Sequence, residues 1–167
     1  MEESTHRISK LDPQKSIRRA RTQQDTTGDG WSITVAGTEI AWSSKMERVS
    51  LIREGIPYEA ISVVGKRADL SVREMLTLMG MPQTTYNKKK RDKDLLNGRD
   101  SEVILLLTEL LDYGVEVFNN EREKFYRWLK KPNASLGGVK PETLFDSVTG
   151  IQVVQNGLHR LEYGNMA

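Results

Sequence analysis

The segment from Ser71 to Arg91 constrains the fold more than any other part of the chain. Ser71, with Glu74 three residues later, predicts a capping box at the start of a helix, and Gly80 predicts a tight turn after it. Pro82 can begin a second helix, where its missing N–H costs no hydrogen bond. Two short helices joined by a glycine turn, the second polar and basic, are typical of a helix-turn-helix whose second helix enters a DNA groove.

Apolar residues occupy the positions where the two helices of this motif must pack. These are Met75, Met79, Met81 and Tyr86. Two positions depart from the usual pattern, because Leu76 stands where a small residue is common and Lys89 where an apolar residue is common. Since helix-turn-helix patterns are weakly specific, a surface helix pair with a solvated basic face is an alternative interpretation.

With Tyr86 turned inward, the second helix presents polar and basic side chains outward. The candidate DNA-binding residues are Gln83, Thr84, Thr85, Asn87, Lys88, Lys90 and Arg91. Amide side chains can pair with adenine, and basic side chains with guanine or with phosphate. We expect Gln83, Thr84 and Asn87 to read base edges, because the first residues of such a helix point most directly at them. The basic residues are expected to contact phosphates, which provides affinity rather than sequence choice.

The remainder of the chain after Ser44 shows helical periodicity, which predicts a mainly α-helical protein. The longest helix is expected to begin at Asp100 or Ser101, with a broad apolar face from Val103 to Phe118. Other helices are predicted before Gly55, from Pro57 through Val64, around Phe125 to Leu129, and from Pro141. Gly150 is expected to break the helix that begins at Pro141, before a final helix that carries Ile151, Val154, Leu158 and Leu161 on one face.

The first 43 residues are predicted to differ from the helical remainder. Residues 1 to about 30 are polar and poor in large apolar side chains, which predicts a flexible arm. Its basic cluster could follow a phosphate backbone, although a solvated tail is the simpler interpretation; the cluster consists of Lys15, Arg18, Arg19 and Arg21. From Trp31 to Trp42, apolar and polar residues alternate around Ala36-Gly37, which predicts a short β-hairpin.

Composition excludes several classes of protein. The chain has no cysteine, which excludes disulfides and thiolate metal sites, and its formal net charge is only +2. No apolar run is long enough to span a bilayer, so we expect a soluble, cytoplasmic protein without a membrane partner. No P-loop, dinucleotide-binding motif or nucleophile motif is present. With only His6 and His159 as histidines, we predict no catalytic site, no metal site and no cofactor.

A specific combination of residues follows in the last third of the chain. It runs from Trp128-Leu129 through Pro132-Asn133 and Leu136-Gly137-Gly138 to Pro141, and after Gly150 it ends in Leu158-His159-Arg160-Leu161-Glu162-Tyr163-Gly164. Together with the helix-turn-helix, it resembles the Xre/MbcA/ParS family of antitoxins over about residues 50–167. The resemblance implies an Xre-like helix-turn-helix domain and a small helical toxin-binding domain.

The resemblance also implies two activities. The C-terminal domain would bind a RES-domain toxin, an NAD-consuming enzyme with an ADP-ribosyltransferase-like fold, and block its active site. The helix-turn-helix would bind the operator DNA of its own operon as a homodimer. Because the C-terminal end of this family approaches the toxin's active-site cleft, the predicted toxin-binding residues are His159, Arg160, Glu162, Tyr163, Gly164, Asn165, Met166 and Ala167.

We therefore predict three segments: a flexible basic arm with a short β-hairpin in residues 1–43, a DNA-binding domain in residues 44–119, and a toxin-binding domain in residues 120–167. One alternative is a stand-alone transcriptional regulator that uses its C-terminal region only for dimerisation. Another is an inhibitor or scaffold whose helix-turn-helix has lost DNA binding, which Lys89 at a usually apolar position would favour.

Overall fold

The computed structural model describes residues 30–164, in which seven α-helices follow a two-stranded sheet. The elements are β1 Trp31–Val35, β2 Thr38–Trp42, α1 Lys45–Glu54, α2 Ala60–Arg67, α3 Val72–Met79, α4 Gln83–Arg91, α5 Gly98–Val117, α6 Arg122–Leu129 and α7 Val148–Gly164. Two 3₁₀-helices, Ala134–Leu136 and Pro141–Leu144, lie between α6 and α7. The predicted mainly helical fold is confirmed. The predicted basic arm lies outside the described residues, as do the candidates Asn165, Met166 and Ala167.

The predicted β-hairpin is confirmed. Its strands are antiparallel, with Trp31 opposite Trp42. The turn residues Ala36 and Gly37 have φ angles of 49° and 80°, as a two-residue turn matched to the strand twist requires. The hairpin packs on α2 and α5, with Ile33 fully buried. This contact explains how a sheet of two strands can be stable, since an isolated hairpin is marginal in water.

The long helix α5 lies at the centre of the fold, where it packs against β1, α1, α2, α6 and α7. Its buried side extends beyond the predicted apolar face, because Ile104 and Leu105 are fully buried as well. One cluster of buried side chains includes the hairpin, the helices of the candidate DNA-binding motif and α7. The two predicted functional regions therefore share a core around α5.

A mostly buried carboxylate links three of these elements. Glu109 on α5 accepts a hydrogen bond from the Trp42 indole N–H at 2.8 Å. The guanidinium of Arg48 on α1 forms an ion pair with the same carboxylate, at 2.6 Å between Nη1 and Oε2. The hairpin and α1 are thereby attached to the central helix by polar as well as apolar contacts.

Two predicted helix starts are wrong. Helix α5 begins before Asp100, because the Asn97 side chain accepts a hydrogen bond from the Asp100 backbone N–H at 2.8 Å and acts as the N-cap. Helix α2 begins at Ala60 rather than at Pro57. Pro57 instead forms an isolated β-bridge with Leu95, so that the chain enters α2 through a turn.

The predicted role of Gly150 is also wrong. Gly150 lies within the first turn of α7 and is buried. A Cβ atom there would lie 2.0 Å from the Leu144 carbonyl oxygen. Glycine therefore permits the close approach of the preceding segment rather than breaking a helix. That segment, Pro141–Leu144, is a single 3₁₀ turn and not an α-helix.

Candidate nucleic-acid interface and partner surface

The helix-turn-helix geometry begins with a complete capping box. The Ser71 hydroxyl accepts a hydrogen bond from the Glu74 backbone N–H at 3.2 Å, and the Glu74 carboxylate accepts one from the Ser71 backbone N–H at 2.7 Å. Hydrogen bonds from Ser71 to this carboxylate lower the pKa of Glu74. Gly80 ends α3 in the left-handed conformation, with φ of 63°, and Pro82 leads into α4. These local predictions are confirmed.

The helix pair is held together by the apolar residues that the sequence pattern predicted. Met75, Met79 and Tyr86 are buried, and Met81 packs against the core while partly exposed. The unusual Leu76 is buried as well, with 3% of its surface exposed. A large side chain at this position therefore contributes to the core, and the two helices still pack on each other through their apolar sides.

Lys89 is accommodated at its usually apolar position. The residue is partly exposed, and its ammonium donates a hydrogen bond to Asp94 Oδ2 at 2.9 Å. This hydrogen bond raises the pKa of Lys89. The aliphatic stem can cover the helix pair while the charge stays in water, as long basic side chains commonly do. Lys89 therefore does not prevent the two helices from packing on each other.

The outward side of α4 carries every predicted DNA-binding residue. Exposed side chains are those of Gln83, Thr84, Thr85, Asn87, Lys88, Lys90 and Arg91. All seven lie on one nine-residue helix, where they cover the part of its circumference that Tyr86 and Lys89 leave free. The basic residues also lie in the last turn, where cations favourably meet the negative end of the helix dipole. That structural role and a role in phosphate contact are compatible, since the charges remain exposed.

The predicted toxin-binding residues of α7 separate into inward and outward groups. His159 and Glu162 turn towards the central helix, where they meet a residue that the sequence analysis missed. The Tyr113 hydroxyl donates a hydrogen bond to Glu162 Oε2 at 2.6 Å and lies 2.7 Å from His159 Nδ1. Burial, followed by the hydrogen bond to Glu162, raises the pKa of Tyr113, so the phenol keeps its proton. The i, i+3 spacing of His159 and Glu162 was the one sequence signal of this cluster.

The outward group forms a stripe along α7, which we call the α7 outer face. It consists of Thr149, Val153, Asn156, Arg160 and Tyr163, whose alternating spacings of four and three residues place them on one side of a helix. Val153 and Tyr163 expose 39% and 42% of their surfaces. Arg160 and Tyr163 are thus available to a partner, as is the exposed Gly164.

A charged contact joins the C-terminal region to the start of the helix-turn-helix. Lys130, at the end of α6, forms an ion pair with the Asp69 carboxylate and donates to the Asp69 carbonyl oxygen at 3.1 Å. Glu142 lies near this pair, and its Oε2 atom is buried without a hydrogen-bond partner among the described residues. Burial raises the pKa of Glu142, although Lys130 and Lys140 oppose the shift.

Residues 30–164 contain no cluster of three or more acidic or histidine side chains arranged to hold a metal ion. No helix in the same range combines the length and the apolar character needed to cross a membrane.

Comparisons with known proteins match both regions of the chain. Residues 47–109 match the antitoxin Xre-like helix-turn-helix domain, and residues 114–164 match the antitoxin Xre/MbcA/ParS C-terminal toxin-binding domain. The boundary between the two matches falls within α5, the helix that both regions share.

Three relatives cover most of the chain at low identity. Antitoxin Xre of Photorhabdus laumondii is 25% identical over 115 residues, which are 69% of this chain and 78% of that protein. Antitoxin Xre of Yersinia enterocolitica is 25% identical over 116 residues, 70% of this chain and 78% of that one. The Prs ADP-ribosylating antitoxin of a Sphingobium species is 25% identical over 133 residues, 75% of this chain and 84% of that protein.

Proposed function

Because the chain belongs to the Xre/MbcA/ParS family of antitoxins, we propose that it neutralises a RES-domain toxin and represses its own operon. DNA binding is assigned to residues 44–119 and toxin binding to residues 120–167. The observation that carries the proposal is the presence, around one shared core, of an intact helix-turn-helix and of an exposed stripe on the C-terminal helix. The protein is a binding protein in this proposal, and no residue is assigned a catalytic role.

The DNA-binding half rests on the chemistry of α4. Its exposed residues combine amides that suit adenine with lysines and an arginine that suit phosphates. The protein would act as a homodimer, because helix-turn-helix proteins generally read two half-sites one helical turn apart. Operator DNA and a co-expressed toxin are both found in the cytoplasm, and the proposal places the protein there.

The toxin-binding half rests on the α7 outer face and the end of α7. Arginine and tyrosine are enriched among the residues that dominate protein interfaces, and Arg160 and Tyr163 lie exposed next to each other on this helix. We assign direct contact to these two residues and to Gly164, Asn165, Met166 and Ala167. We assign His159 and Glu162 to positioning, because the Tyr113 hydroxyl engages both.

A RES-domain toxin is the partner that best suits the comparisons. The Sphingobium relative is named an ADP-ribosylating antitoxin, and transfer of ADP-ribose draws on NAD. RES toxins consume NAD, so a RES-domain partner would use the same substrate as a protein that transfers ADP-ribose. Arg160 can form bidentate contacts with acidic groups on a partner.

Co-expression with the protein encoded by the adjacent gene tests this half. The two proteins are purified together and NAD consumption is measured with the antitoxin intact or lacking residues 160–167. We expect a stable complex with suppressed activity, and restored NAD consumption after the deletion. Arg53→Ala, an exposed arginine on α1 outside residues 120–167, serves as a control that should leave inhibition unchanged. Free toxin activity in the presence of excess intact antitoxin would contradict the proposal.

Binding to the DNA upstream of its own coding sequence tests the other half. We expect affinity that falls steeply with salt concentration and that is lost in the triple alanine variant of Gln83, Asn87 and Lys88. Binding to this DNA together with an absence of any toxin complex would favour a stand-alone regulator. A toxin complex without DNA binding would instead favour a dedicated inhibitor.

A further inference from the structure

Two exposed amide side chains at the start of α4 are hydrogen-bonded to each other. Gln83 Nε2 donates to Asn87 Oδ1 at 3.0 Å. The two residues are one helical turn apart, so their side chains lie side by side on the outward surface. They occupy the part of such a helix that projects most directly towards base edges. The amide of Asn87 is therefore held in one orientation where a base would be read.

The orientation leaves Asn87 able to recognise adenine. An asparagine pairs with adenine by donating from Nδ2 to N7 and accepting from the N6 amino group at Oδ1. The Oδ1 atom has two lone pairs, so it can accept from Gln83 and from adenine at the same time. The hydrogen bond from Gln83 also polarises the Asn87 amide, which makes Nδ2 a stronger donor to N7.

The same orientation rejects guanine. Both purines offer an N7 acceptor, but guanine carries the O6 acceptor where adenine carries the N6 donor. With Gln83 holding the Asn87 amide in this orientation, Asn87 Oδ1 would face the O6 oxygen of guanine, and two acceptors would oppose each other. Without Gln83, the amide can turn so that its Nδ2 group donates towards O6 and N7 while Oδ1 points away from both acceptors. The contact with Gln83 therefore decides how well the site separates adenine from guanine.

We propose that Gln83 is a positioning residue that fixes the Asn87 amide and that the pair acts as a single reader of adenine in the major groove. The inference rests on the proposed DNA-binding function and specifies its base preference. Total affinity depends less on the pair, because the exposed Lys88, Lys90 and Arg91 supply contacts to phosphate that are independent of sequence.

The inference is tested by using the full-length protein to select binding sites from a randomised DNA duplex library. The selected duplex and its adenine-to-guanine variants are then titrated with the protein. We expect the wild type to prefer adenine over guanine at one position by about tenfold or more, within the range for a bidentate contact. Gln83→Met keeps the length of the side chain but cannot donate. It should bind the selected duplex within about fivefold of wild type and discriminate less than about threefold.

Two further variants separate positioning from a general effect on the helix. Gln83→Lys can still donate to Asn87 Oδ1 and should keep the preference for adenine, although its added charge raises affinity for every duplex. Gln152→Met, an exposed glutamine on α7, should behave as wild type. A purely structural contact would lower the melting temperature of Gln83→Met slightly and leave discrimination unchanged, and that result would overturn the inference.

The outcomes distinguish this inference from the proposed function. Sequence-selective binding by the wild type, with the adenine preference retained in Gln83→Met, overturns the positioning role alone. Selection of guanine at the position that Asn87→Ala affects overturns the adenine assignment. An absence of salt-dependent DNA binding by the wild type overturns the proposed DNA-binding function and the inference with it.

Discussion

The Tyr113 hydroxyl on α5 donates a hydrogen bond of 2.6 Å to Glu162 on α7, across 49 residues of sequence. The same oxygen lies 2.7 Å from His159 Nδ1. A phenol has one proton to donate, so with that proton given to Glu162 the contact with His159 is a hydrogen bond in the tautomer that carries a proton on Nδ1. The last turns of α7 are consequently attached to the central helix.

Removing the tyrosine hydroxyl should loosen the end of α7. We expect Tyr113→Phe to lower the free energy of unfolding by about 1–3 kcal/mol, because a hydrogen bond to a charged group is lost. Inhibition of the co-expressed toxin should weaken while DNA affinity stays unchanged. Denaturant unfolding and the NAD-consumption assay measure the two effects. Tyr126→Phe on α6 is the matched control, and equal unfolding curves for wild type and Tyr113→Phe would contradict the prediction.

Exposed basic residues on α4 should control the salt dependence of DNA binding. Replacing Lys88, Lys90 and Arg91 with alanine should reduce the slope of log affinity against log salt by about 2–3, since each phosphate contact contributes about 0.9. Binding isotherms at several salt concentrations measure the slope. A control with the same change in charge replaces Lys124, Arg127 and Lys131, which are exposed on or after α6. Equal slopes for the two triple variants would rule out these phosphate contacts.

Gly114 should not tolerate a side chain. A Cβ atom there would lie 2.2 Å from Phe125 Cζ, so Gly114→Ala should destabilise the protein by about 1–3 kcal/mol through overpacking. Replacing glycine with alanine within a helix usually stabilises a protein, so the expected effect has the opposite sign. Gly98→Ala is the control, because its Cβ would meet Ile52 Cγ2 at an ordinary 3.7 Å. Thermal melting of the two variants measures the difference, and similar melting temperatures would refute the packing argument.

Glu142 should make stability depend on pH. Burial raises the pKa of Glu142 above its unfolded value of 4.5, so the folded state binds this proton more tightly than the unfolded state does. The resulting stabilisation is complete below pH 4.5 and is lost as pH rises through the folded pKa. At pH 7 the ionised side chain is therefore unfavourable.

Glu142→Gln should accordingly melt at a higher temperature than wild type at pH 7, and the difference should disappear towards pH 4. The gain should stay below about 1 kcal/mol, because solvent screens this partly exposed group. Glu123→Gln, an exposed residue on α6, controls for a general loss of negative charge. A difference in melting temperature that is constant with pH, or of opposite sign, would show that burial does not govern the pKa of Glu142.

Features that depend on a few neighbouring residues were predictable from the sequence. The Ser71–Glu74 capping box, the turn at Gly80 and the hairpin turn at Ala36-Gly37 are of this kind. The Asn97 cap is equally local, and an asparagine three residues before Asp100 could have revealed the earlier start of α5. Gly150 was misread because its neighbour in space, the Leu144 carbonyl, follows from packing and not from periodicity.

The amino-acid sequence by itself determined the helix-turn-helix and the outward position of its polar face, because caps, turns and helical periodicity act over three or four residues. Only the tertiary structure decided which α7 residues are exposed. His159 and Glu162 turn inward because Tyr113 lies beside them on α5, whereas Arg160 and Tyr163 remain exposed. A hydrogen bond between residues almost fifty positions apart depends on how α5 and α7 pack, and no local pattern encodes that packing.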